Sequence, residues 1–92
     1  MNSVSVKLTF YIQHAHTLKE KRTVVRRIID KIRHKYNASV AEVDTQDVHQ
    51  TLTLGIAVVS GGYSHARNML DDIVRFAERN TDAELISAEY IE

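Results

Sequence analysis

From Val4 to Ile12 every second residue is apolar: Val4, Val6, Leu8, Phe10 and Ile12 alternate with Ser5, Lys7, Thr9 and Tyr11. A helix would scatter these side chains around its circumference, whereas a strand sends them all to one face. Residues 3–13 are therefore expected to form a strand with one buried side and one side facing water. Such a strand is stable only as part of a sheet, and the sheet needs a second layer over its apolar face. The rest of the chain has to supply both.

The cover is legible in two segments of helical period. Thr17-Leu18-Lys19-Glu20 has the form of a capping box, in which Thr17 caps an early N–H and Glu20 reaches back to the N–H of Thr17. Leu18, Val25, Ile28, Ile29, Ile32 and Tyr36 then share one face, and Asn37 offers a left-handed stop, so a first helix is expected over 17–36. A second helix is expected over 63–79, with Ala66, Met69, Leu70, Ile73, Phe76 and Ala77 on one side and Asn80-Thr81-Asp82 as its stop.

Three further strands complete the pattern. Residues 38–44 read as one, and Thr45-Gln46-Asp47 as a turn. A strand over 48–59 turns Leu52, Leu54, Ile56 and Val58 inward and Thr51, Thr53 and Ala57 outward, and Ser60-Gly61-Gly62 ends it. The last strand covers 84–91, with Leu85, Ile86, Tyr90 and Ile91. The order βαββαβ with short connections points to an α+β, ferredoxin-like fold: a four-stranded antiparallel sheet with both helices on one face. The 92 residues suffice for one such domain, 1–92, and not for two. The other sheet face carries Lys7, Thr9, Tyr11, Thr51 and Thr53, too polar for a core, and meets water or a partner.

Composition removes several chemistries. There is no cysteine, which excludes disulfides, thiolate nucleophiles and thiolate metal sites. No apolar run approaches the roughly 18–20 residues of a membrane span. Met1 leads straight into the first strand, so no signal peptide is expected, and the chain reads as cytoplasmic. A chain of this size has a modest core, in which a deep enclosed active site is hard to build.

The zero net charge conceals an asymmetry. Residues 1–36 hold nine Lys/Arg and two acids, whereas residues 37–92 hold three Lys/Arg and ten acids. Eight of the nine cations lie between Lys19 and Lys35. Helix N-termini favour acids, yet here Lys19, Lys21 and Arg22 crowd the first turns with Glu20 as the one acid. Lys19, Arg22, Arg26 and Arg33 fall within one quadrant beside the apolar stripe, Arg27 and Lys31 extend the positive surface, and Asp30 can pair with Arg26. Two accounts are open. A polyanion can bind there, with Lys19, Lys21, Arg22, Arg26, Arg27 and Arg33 on phosphate. Alternatively the second helix brings Asp71, Asp72 and Glu78 alongside and neutralises the first.

Other candidate chemistry is thinner. His14 and His16 could bind zinc with a carboxylate, but the five histidines show no metal spacing and read as polar loop residues. Asp44 and Asp47 are standard turn residues. Ser60-Gly61-Gly62-Tyr63-Ser64 precedes a helix as phosphate loops do, without the P-loop lysine or spacing. Tyr11 could stack a base, but an RNA-recognition motif would place aromatics where Thr51 and Thr53 stand. Ser64-His65 has no triad spacing. No catalytic set, metal site or cofactor motif emerges.

The segment His16-Thr17-Leu18-Lys19-Glu20-Lys21-Arg22 is similar to the H-S-L-K-E-K-R of the YlxP-like family of small bacterial proteins. Ser39-Val40-Ala41-Glu42-Val43, Gln46-Asp47 followed by Gln50, and Leu54-Gly55 followed by Val58-Val59-Ser60 extend the resemblance over nearly the whole chain. Thr17 for serine keeps the capping hydroxyl, and Val48-His49 departs from the leucine–aromatic pair of many members. The resemblance implies a ferredoxin-like fold and no assigned activity. The family's genes often lie beside those of transcription, translation initiation and ribosome maturation, which implies RNA or a ribosomal particle as partner. The expectation is a non-enzymatic module that docks on RNA through the basic helix. The alternative is a protein-interaction module, a homodimer joined through Lys7, Thr9, Tyr11 and Thr53 of the open face. A hydrolase of acylphosphatase type would need an arginine-bearing phosphate loop after the first strand, and His14-Ala15-His16 stands there.

Overall fold

The computed structural model describes residues 1–91. The elements run β1 (Asn2–Tyr11), α1 (Leu18–Lys35), β2 (Ser39–Glu42), β3 (Thr51–Ser60), α2 (Tyr63–Arg79) and β4 (Glu84–Ile91). They form one sheet in the order β2-β3-β1-β4 with every neighbouring pair antiparallel. This is the expected βαββαβ, ferredoxin-like arrangement.

The alternation in β1 decides which face is covered. Val4, Val6, Leu8 and Phe10 are all at most 2% exposed, opposite Val58, Ile56, Leu54 and Leu52 of β3, and Ile12 beyond the strand end is buried with them. Val25, Ile28 and Ile32 of α1 and Ala66, Leu70, Ile73 and Ala77 of α2 close over them in one cluster. Each fully buried Leu, Ile or Phe contributes about 1.5–3 kcal/mol of transfer free energy, so this layer carries most of the stability.

α1 begins at Thr17, whose Oγ1 accepts the Glu20 N–H at 3.1 Å. The Glu20 carboxylate accepts from the Thr17 hydroxyl at 3.2 Å rather than from its backbone N–H, so the box closes between side chains. The helix ends at Tyr36 in an extended conformation, and Asn37 is not left-handed. Tyr36 packs edge-on against Phe76 of α2, which fixes the chain's exit without a special backbone angle.

Two strand boundaries depart from the sequence pattern. β2 stops at Glu42 and β3 starts at Thr51, so residues 43–50 form a loop where strand was expected on both sides. Asp44 has a φ of 63°, in the left-handed region, and turns the chain off the sheet. In β4 the pairing with β1 skips Ile86, between Thr9↔Ser87 and Phe10↔Leu85. This bulge leaves Ile86 exposed rather than inward, and Ile91 faces out as well. No helix among the described residues is long and apolar enough to cross a membrane.

Candidate nucleic-acid interface

The cations of α1 separate into groups that a helix only eighteen residues long keeps on different flanks. Lys21 is not part of the surface. It lies on the apolar stripe, four residues before Val25, and is 1% exposed. Its Nζ is 2.7 Å from Glu42 Oε2 and donates to the Val48 carbonyl at 2.7 Å and to the Thr45 carbonyl. It therefore cannot serve as a phosphate contact: its donors are spent inside the protein on the 43–50 loop. The position was visible in the periodicity, since Lys21 shares the face of Val25, Ile28 and Ile32.

Lys19, Arg22, Arg26 and Arg27 are exposed along α1. Among the described residues no carboxylate lies within ion-pair distance of any of them, and Asp30 does not pair with Arg26. Arg33 differs, because its guanidinium donates to the Val40 carbonyl on the outer strand β2 at 2.7 Å.

The acids of α2 do not neutralise this row. Asp71 pairs with Arg67 at 3.3 Å, and Asp72 pairs with Arg75, both within α2. Asp71 Oδ1 also accepts from the Tyr90 hydroxyl at 2.6 Å. That bond, helped by Arg67 and opposed by partial burial, holds the Asp71 carboxyl below its ordinary range. Burial and the same bond push the Tyr90 phenol up. Where α1 and α2 do meet, a cation is on the α1 side: Lys31 reaches the Asn80 carbonyl at 3.4 Å, and Lys35 sits 4.7 Å over the Phe76 ring.

A second basic region was only partly legible. Arg27 and Lys31 of α1, Arg79 at the end of α2, and His14 of the β1–α1 loop line a cleft of about 290 Å³ with Val24, Asn80, Thr81 and Asp82. Arg79 joins the cations of α1 there although more than forty residues separate them in the chain.

The open sheet face has small residues at its centre. Ser39, Ala41, Gly55, Ala57 and Ser5 floor a shallow groove, with Ile91 at one edge and Lys7 bonded to Asp44 at 3.0 Å above it. A Cβ on Gly55 would sit 3.3 Å from Val43 Cγ1, so this position is close-packed by the start of the loop. Lys7, Thr9 and Tyr11 lie on this face as expected. Thr53 is on it too but is covered: it is 3% exposed, and Thr45 donates to its hydroxyl at 3.0 Å. The loop that Lys21 holds thus removes Thr53 from the accessible face.

The comparisons with known proteins agree with this architecture. The profile of the family described as "Protein of unknown function (DUF503)" matches residues 4–90. The chain is 36% identical over 67 residues to "Uncharacterized protein YlxP" of Bacillus subtilis (strain 168), covering 73% of each. Among solved structures it is similar to the de novo designed protein LFR1 1 with ferredoxin fold, at a TM-score of 0.65 and 20% identity, over all of this chain and 87% of that one. The designed protein Ferredog-Diesel aligns with a TM-score of 0.50 and 5% identity, over 99% and 85% of the two chains. These two likenesses concern the fold alone. With the profile running from the first strand to the last and 36% identity to the relative over 73% of the chain, the chain belongs to the DUF503 family, the YlxP-like proteins.

Proposed function

We propose that the protein is a non-enzymatic, cytoplasmic module that docks on RNA or a ribosomal particle through the exposed row Lys19, Arg22, Arg26 and Arg27. The observation that carries this reading is that the row has no carboxylate partner among the described residues, while Asp71 and Asp72 are occupied within α2. Four like charges on one helix repel each other and disfavour the folded state slightly. A polyanion reverses that cost by releasing its condensed counterions when the cations replace them. A surface of this kind contacts phosphates and reads no base edges, so recognition is by backbone and shape. Tyr11 stands on the open face, away from α1, and plays no part in this mode.

The test is sedimentation of the tagged protein from a cell extract at low and moderate salt, beside the double variant Arg22→Glu/Arg26→Glu. Co-migration with ribosomal particles that is lost both with salt and with charge reversal is the expected result. A wild-type protein that migrates as a free small species at low salt overturns the reading. A dimeric mass retained by the charge-reversed variant would move the function to the open sheet face.

A further inference from the structure

We propose that the cleft between α1 and the end of α2 is a binding site for a phosphate group, sized for a phosphate monoester such as a mononucleotide or a phosphorylated RNA end. It goes beyond the docking row and shares only Arg27 with it, because Arg22 and Arg26 lie on the other flank of α1. On the helical wheel Arg27 and Lys31 face α2, and Val24 lies one turn before them on the same side.

The charge balance of the cleft is the argument. Arg27, Lys31 and Arg79 bring three formal positive charges to its wall, and Asp82 brings the one carboxylate. The carbonyl end of α2 adds the equivalent of about half a negative charge. That end explains one of the cations: Lys31 donates to the Asn80 carbonyl. Asp82 offsets a second. About one and a half positive charges remain uncompensated where the three cations converge on the cleft. Among the described residues no ion pair relieves Arg27, Arg79 or Lys31. A cluster that violates local charge balance is the arrangement an anion corrects.

The remaining lining fits the rest of a phosphate monoester. The cleft volume of about 290 Å³ is at the small end of ligand sites, enough for a phosphate and an attached sugar. Arginine guanidinium groups match phosphate geometry with paired N–H donors. Asp82, poor company for the phosphate itself, is an acceptor for sugar hydroxyls, and Val24 supplies an apolar patch. The Thr81 hydroxyl oxygen accepts the Ala83 N–H at 3.2 Å, which leaves its proton to donate.

The experiment is a two-dimensional amide NMR titration of the intact protein with inorganic phosphate, adenosine 5′-monophosphate, adenosine, and a short RNA with or without a 5′-phosphate. The expected result is that phosphate and the monophosphate shift the amides of residues 27–31 and 79–82, while adenosine does not. Arg79→Gln, with the rest of its spectrum unchanged, should weaken the monophosphate about tenfold, the loss of one charged hydrogen bond. Shifts from the 5′-phosphorylated RNA alone among the RNAs would identify the source as an RNA end; shifts from the free monophosphate and neither RNA would identify a free nucleotide. Either supports the site. Absence of shifts at about 10 mM phosphate, or equal affinity in Arg79→Gln, would overturn it. Arg22→Glu/Arg26→Glu should keep the monophosphate shifts even if it abolishes docking, so the two readings fail separately.

Discussion

Nζ of Lys21 lies 2.7 Å from Oε2 of Glu42, joining the first helix to the outer strand of the sheet. The carboxylate side chain is 17% exposed and the lysine 1%, so the pair is largely out of water. Oε2 has no other partner among the described residues, and the lysine also satisfies the Thr45 and Val48 carbonyls. One cation thus holds both ends of the segment that departs from the strand pattern. Through the Thr45 hydroxyl it also decides whether Thr53 is open to solvent.

Removing that cation should be expensive. Lys21→Met strands a mostly buried carboxylate and two carbonyls, and breaking a buried pair in this way costs about 3 kcal/mol or more. Glu42→Gln should cost less, about 1–2 kcal/mol, because Lys21 keeps its two carbonyl acceptors. Urea unfolding of both variants and of the double variant checks this. The double variant should lose less than the two single losses added together, since each removes the same contact.

The Asp71–Tyr90 bond makes stability depend on pH at both extremes. The Asp71 carboxyl is held below its ordinary 3.8, mainly by the Tyr90 hydroxyl, so the folded state binds this proton less tightly than the unfolded chain. Its contribution is present above that value and is lost as pH falls through the lower folded one. The Tyr90 phenol is raised above 10.0, first by burial and then by Asp71. Its contribution is present below 10.0 and is lost as pH rises through the higher folded value. Tyr90→Phe should therefore flatten the alkaline arm of a stability–pH curve measured by thermal unfolding, and soften the acid arm. An alkaline arm unchanged in Tyr90→Phe would assign it to other groups.

Asp44 gives a local backbone test. Its φ of 63° is tolerated by Asn, Asp and Gly and disfavoured for β-branched residues. Asp44→Val should cost about 1–2 kcal/mol of unfolding free energy, as is usual for a side chain forced into this region. Asp44→Asn, which keeps the conformation and loses only the exposed pair with Lys7, should cost less than about 1 kcal/mol.

The fold was legible because its signals are periodic and local. The alternation from Val4 to Ile12 and the helical stripe from Val25 to Ile32 each name a buried face without reference to the rest of the chain. The 43–50 loop was legible only at its centre, the Thr45-Gln46-Asp47 turn, because nothing at Val43 or Val48 announces that the departure from strand runs wider. The cause is a lysine more than twenty residues earlier, and its charge argued for the surface although its place on the wheel argued for the core. Thr53 was lost to the open face for the same reason, since period two assigns a side chain to a face but not what lies above it. The cleft is a third case. Arg79 is an ordinary helix-end cation until the fold sets it opposite Arg27 and Lys31.

The salt dependence of RNA binding should count the cations that act. Each phosphate neutralised on a single strand contributes a slope of about −0.7 to log K against log salt, so the four residues of the docking row should give about −2.8. Raising salt from about 50 to about 150 mM should then weaken binding roughly twentyfold. Arg26→Gln should reduce the slope by about 0.7, as the loss of one contact. Arg33 lies in the same quadrant of the helix, but its guanidinium is held on the Val40 carbonyl. Arg33→Gln should therefore leave the slope unchanged and lower stability by about 1 kcal/mol. Fluorescence anisotropy with a labelled single-stranded RNA over a salt series distinguishes the two. If Arg33→Gln reduced the slope as much as Arg26→Gln, the active surface would have to run the length of α1 toward β2.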